Sequence, residues 1–99
     1  MKKKLEELTI NIIKNAQDIV AENAAEIIGY NLKKSLSLEL LSVMKIVSGK
    51  VITKMGLIDR KWIVIGDYII DPVLAVEVST TEGFVFNVEF DKVNQYIWF

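Results

Sequence analysis

Six acidic residues in the C-terminal half, Asp59, Asp67, Asp71, Glu77, Glu89 and Asp91, are the side chains of this sequence best suited to chemistry. Two carboxyl groups brought together can hydrolyse a glycosidic bond or hold a magnesium ion, and neither task needs histidine. No spacing among the six singles out such a pair, and solvated strand edges account for the same residues. The chain contains neither His nor Cys. That removes the commonest general base near neutral pH, the imidazole and thiolate metal ligands, any disulfide, and both common nucleophile-plus-His constellations. Its five glycines are scattered, with no phosphate-cradling loop and no Gly-Lys-Ser/Thr motif. The sequence therefore assigns no catalytic residue, no metal ligand and no cofactor, and a non-enzymatic protein is expected.

The stretch "RKWIVIGDYIIDP", residues 60 to 72, is the best remaining place to look for a site. A Trp near the start of a strand, followed by Asp-Pro, resembles the core of transglutaminase-like cysteine hydrolases, with Gly49, Trp62, Asp71 and Pro72 as the matching points over about a quarter of the chain. In that family a His lies beside the Trp, the Asp before Pro orients it, and a Cys opens an earlier helix. Here Arg60 and Lys61 stand near the His position, and Ser35 and Ser37 are the nearest counterparts of the Cys. The resemblance implies at most a degenerate, non-catalytic domain. Asp71 with Glu77 is also similar to the acidic spacing of metal-dependent nucleases, but Ser79 stands where their lysine belongs. Without either likeness, Trp62, Val64, Tyr68 and Ile70 fill a core face and Asp71-Pro72 makes a tight turn.

The elements that would position these residues follow from composition and periodicity. Ninety-nine residues make one domain, 1–99. An apolar share of 52% against 25% charged excludes disorder and leaves hydrophobic surface to spare. A net charge of −1 argues against nucleic acid and against an anionic membrane as partners. The opening "MKKKLEEL" starts like a signal peptide, but Glu6, Glu7, Asn11 and Lys14 interrupt the apolar run, so a cytoplasmic protein is expected.

Apolar residues at Leu5, Leu8, Ile12, Ala16, Ile19, Val20, Ala24 and Ile27 fall at steps of three and four. They predict one long amphipathic helix to about Leu32. Asn23 projects from the middle of that stripe and needs hydrogen-bond partners there, from the backbone or across a dimer. Gly29 marks a kink or an end, and the lysines at 33 and 34 suit a helix C-terminus. Residues 36–48 fit a second helix capped by Gly49, although their alternation also fits a strand.

From Lys50 onward, β-branched and aromatic residues predict a four-stranded antiparallel meander packed on the helices, an α+β fold. Turns are expected at Asp59-Arg60, at Asp71-Pro72 and at Thr80–Gly83. The last turn, with Gly83 at positive φ, would set Val78 opposite Phe86, Val76 opposite Val88 and Leu74 opposite Phe90. The first hairpin would carry Met55, Leu57, Trp62, Val64 and Tyr68 on one face and Ile52, Ile58, Ile63, Ile65 and Ile69 on the other. One layer of helices covers only one face, so the second must meet another subunit, a partner protein or the tail "YIWF".

These features point to a small protein-binding module of inhibitor, antitoxin, immunity or adaptor type. Its size matches binders common in phage and mobile-element genomes. It would act by steric occlusion of a partner protein, with a homodimer as a further expectation. The candidate partner-binding residues are Ile63, Ile65, Tyr96, Trp98 and Phe99, the last two as aromatic anchors. The degenerate hydrolase-like domain is the alternative.

Overall fold

The computed structural model describes residues 1–16, 18–77, 83–88, 91 and 95–98, the side chain of Trp98 excepted. The fold is α+β, with N-terminal helices followed by a curled antiparallel sheet packed on them.

The long helix is two helices, α1 (Lys2–Asn15) and α2 (Ala24–Ser35). Ala16 turns extended at the end of α1, and Asn23 closes the connection before α2. The Asn23 Oδ1 accepts from the Val20 N–H at 2.8 Å, and its Nδ2 donates to the Asp18 carbonyl at 3.0 Å. The amide met inside the apolar stripe thus satisfies itself on local backbone, which stabilises a turn where periodicity alone would continue the helix. The two helices bury Leu5 and Thr9 from α1, and Ala24, Ala25, Ile28, Gly29 and Leu32 from α2. Gly29 lies inside α2 rather than at its end, and Lys33 and Lys34 occupy the last turn.

Residues 36–48 divide between both readings. Ser37 caps the short helix α3 (Leu38–Ser42) by accepting from the Leu40 N–H, and β1 (Met44–Thr53) begins directly after it. Gly49 therefore ends no helix; it sits inside β1, between a backbone and a ring. A Cβ there would stand 2.5 Å from Cη2 of Trp62 and collide with the Ile97 carbonyl.

The first hairpin turns at Lys54 and Met55, not at Asp59 and Arg60, and joins β1 to β2 (Gly56–Ile65). Gly56 adopts φ +104, and the Thr53 hydroxyl accepts from the Met55 N–H and donates to the Gly56 carbonyl. A glycine able to take positive φ outweighs a charged Asp-Arg pair as a turn signal. Asp59 and Arg60 lie in mid-strand opposite Lys50 and Gly49.

Strand β3 (Tyr68–Ile70) pairs with β2 and ends at Asp71, where α4 (Pro72–Glu77) replaces the expected third strand. The Asp71 Oδ1 accepts from the Leu74 N–H at 3.0 Å. Asp at the N-cap with Pro in the first helical position is a helix start as well as a turn, and here the helix wins. Leu74 and Val76 consequently join the helical side of the core instead of pairing with Phe90 and Val88. Val78 and Phe90 lie outside the described residues. Gly83 does take positive φ, but Phe86 of β4 (Val85–Asn87) pairs with Ile69. A fifth strand, β5 (Tyr96–Trp98), adds to β1, giving the order β4-β3-β2-β1-β5.

The true registers reassign the two faces of the sheet. Ile63, Ile65 and Ile70 pack with Leu5, Ala24, Ile28, Leu32, Phe84 and Val85 under the helices. Trp62, Val64, Ile69, Val51 and Tyr96 form a second core on the other face, flanked by Val47 and Phe86. The rings of Phe86 on β4 and Tyr96 on β5 lie 5.7 Å apart. In a flat sheet the first and fifth strands would be separated by about 19 Å. The sheet is therefore curled into a half-barrel, and side chains from its two edge strands meet over the second face and fill it from within the chain.

Candidate functional site

The residues of "RKWIVIGDYIIDP" do come together, around Asp71. Arg60 reaches it from β2, Tyr96 from β5, and the start of α4 closes over it. The Asp71 Oδ2 accepts from the Tyr96 hydroxyl at 2.6 Å and from Nη1 of Arg60 at 2.9 Å. Its backbone N–H donates to the Phe84 carbonyl at 2.8 Å. Asp71 is 0% exposed, and the Tyr96 ring stands edge-on to Trp62 at 5.2 Å. Burial, and next the charge of Asp71, push the Tyr96 hydroxyl well above its ordinary pKa of 10.0. A protonated tyrosine and an arginine thus hold a desolvated carboxylate in place, an arrangement that ties β2, β5 and α4 together.

The counterparts of a nucleophile lie elsewhere. The Ser35 hydroxyl donates to the Asn31 carbonyl, and Ser37 caps α3. Neither is hydrogen-bonded to Asp71 among the described residues. Of the six acids, Asp59 pairs with Lys50 at 2.7 Å, and Asp91 pairs with Lys2 at 2.9 Å while accepting from the Asn87 N–H. That N–H bond, and then Lys2, hold the Asp91 carboxyl below its ordinary range. No group of three acids is arranged to hold a metal ion among the described residues. No helix of the described residues is long and apolar enough to cross a membrane.

Of the five residues selected for partner binding, Ile63, Ile65 and Tyr96 do not share a surface. Ile63 and Ile65 are fully buried beneath α2 and α1, in the core rather than on an exposed partner face. Tyr96 is buried on the opposite side of the sheet. Trp98 pairs through its backbone with Gly49, while its side chain and the whole of Phe99 lie outside the described residues.

Two surface features were not legible as sites. The first is the end of the β1–β2 hairpin, where Ile52, Met55 and Leu57 are 52%, 90% and 60% exposed. The misplaced turn concealed it, and the Met-Gly pair at 55 and 56 was the available signal. The second is a groove of about 640 Å³ between the start of α2, α4 and the β1–β2 strands. Glu22, Glu26 and Glu77 stand on its walls, with Lys50, Arg60 and Lys61 along the strands. Lys61 bridges to Glu26 at 2.6 Å, and that contact holds the Glu26 carboxyl below its ordinary pKa. Comparison with protein-family models, with curated proteins and with solved structures finds no match to this chain.

Proposed function

We propose that this protein is a small, non-enzymatic protein-binding module of inhibitor, antitoxin, immunity or adaptor type, which acts by covering a surface of a partner protein. The observation that carries this reading is the apolar end of the β1–β2 hairpin. Three large side chains, Ile52, Met55 and Leu57, stand in solvent beyond the reach of the helices and of the second core. Exposed apolar side chains gathered at one projecting point are a contact surface more often than a structural necessity. Burying each of them against a partner is worth about 1.5–3 kcal/mol. The hairpin end takes the place of Ile63 and Ile65 as the primary contact, with the tail aromatics Trp98 and Phe99 as a second arm.

Affinity capture with the immobilised protein tests this. The native chain should retain a partner that an Ile52→Glu/Met55→Glu variant loses, while circular dichroism shows the variant folded. Retention of the same partner in equal amount by that variant would remove the hairpin from the interface. A Trp98→Ala/Phe99→Ala variant reports separately on the tail. Light scattering across a concentration series separates a homodimer from a partner complex.

A further inference from the structure

Strand β2 is paired on both sides for only part of its length. β1 lies against it from Gly56 to Ile65, whereas β3 meets it only at Ile63, Val64 and Ile65. Along Leu57–Lys61 the second edge has no neighbouring strand among the described residues, because at Asp71 the chain turns into α4, which packs on β2 as a helix instead of continuing the ladder. Two-residue turns bound β2 at both ends, and the residues flanking such a turn exchange hydrogen bonds across it. The resulting alternation turns the N–H and C=O groups of Leu57, Asp59 and Lys61 away from β1. Among the described residues, none of these groups has a further hydrogen-bond partner.

This open edge borders the 640 Å³ groove. Charge within the groove is unbalanced. Lys61 is held by Glu26, Lys50 by Asp59 and Arg60 by Asp71. Glu22 and Glu77 remain on the walls with no ion pair among the described residues. By strand alternation the side chains of Leu57, Asp59 and Lys61 share the helix-side face of the sheet and Ile58 lies on the opposite face; Asp59 and Lys61 line the groove, and Ile58 reaches its rim at the open edge.

We infer that the Leu57–Lys61 edge of β2 binds an extended segment of a partner protein as an added antiparallel strand. The segment carries Lys or Arg on the groove side, directed at Glu22 and Glu77, and apolar residues on the Ile58 side. The inference rests on the binding-module reading and names the form of the partner. Backbone hydrogen bonds supply the pairing and the two glutamates supply the selection, the division of labour that strand addition uses. A second copy of this chain fits less well, since edge-to-edge pairing would bring two grooves with the same surplus negative charge together.

The test is a titration of the whole ¹⁵N-labelled chain with a blocked seven-residue peptide alternating Val and Lys, followed by amide NMR. Saturable shifts and slowed hydrogen exchange at Leu57, Asp59 and Lys61 are expected. N-methylation of one alternate set of peptide nitrogens should abolish binding, whereas methylation of the other set should not. A Glu22→Lys/Glu77→Lys variant should bind at least about tenfold more weakly, and a Val/Glu peptide should not bind. Equal affinity for both methylated peptides, or shifts confined to other residues, would overturn the inference. So would the same amide shifts appearing on concentration of the protein alone, which would make a second copy the occupant.

The Ile52→Glu/Met55→Glu variant keeps the two readings apart. Peptide binding that persists in this variant, with no partner lost, would retain the edge and discard the hairpin. Partner loss without any peptide binding would do the reverse.

Discussion

Asp71 accepts three hydrogen bonds, from Tyr96, Arg60 and the Leu74 N–H, and is closed to solvent. Removing one donor leaves a buried carboxylate short of a partner, and such a loss costs about 1–3 kcal/mol. Tyr96→Phe should therefore lower stability by that amount at neutral pH, as measured by urea unfolding. The variant also changes the pH response. Burial and the Asp71 charge raise the Tyr96 pKa in the folded state, so the folded chain keeps a proton that the unfolded chain releases above its ordinary value of 10.0. The contribution is complete below that pH and declines as pH rises beyond it. The native protein should lose stability above pH 10 more steeply than Tyr96→Phe, and equal slopes would show that the hydroxyl is not buried against Asp71. The sequence singled out Asp71 because Pro72 restricts the residue before it, but it pointed to a turn rather than to the cap of α4. It could not show whether Tyr96, 25 residues later, would be the group that binds it.

Among the elements, one side chain braces the connection between α1 and α2. Asn23 supplies both an acceptor for Val20 and a donor to Asp18. Asn23→Ala should destabilise the protein by about 1 kcal/mol, read as a lower unfolding midpoint, since two partly exposed hydrogen bonds are lost without a buried group being stranded. An unchanged midpoint would mean that packing alone sets the break. The apolar stripe from Leu5 to Ile27 identified helix and buried face, but a period of 3.6 carries no information about where a helix stops. The same limit applies to Asp71-Pro72, which begins both turns and helices, and to Gly49. That glycine was legible as unusual, yet the cause is a close approach by Trp62 and the Ile97 backbone, contacts distant in sequence.

At the scale of the whole molecule, the curl of the sheet decides how the surplus apolar surface is used. Trp62 is fully buried in the second core, where Tyr96 from β5 and Phe86 from β4 pack together. A Trp98→Phe variant leaves Trp62 as the only tryptophan. Its emission should be blue-shifted and poorly quenched by acrylamide in the isolated protein. Red-shifted, readily quenched emission would mean that the second face is open and available to a partner.

The residues alone determined the helical start, the β-rich remainder, the α+β class and the presence of two apolar faces on the central hairpin, because each depends on local periodicity and residue type. They also determined the lack of His and Cys chemistry, a matter of composition. Only the tertiary structure decided which surfaces remain outside. A strand's alternation shows that a face is apolar but not what covers it; here the helices cover Ile63 and Ile65, while β5 and the curl cover the second face and place Tyr96 in its core. Ile52, Met55 and Leu57 stay exposed because the hairpin extends past both layers. Sheet curvature and strand order arise from contacts between distant segments, and a local pattern cannot encode them.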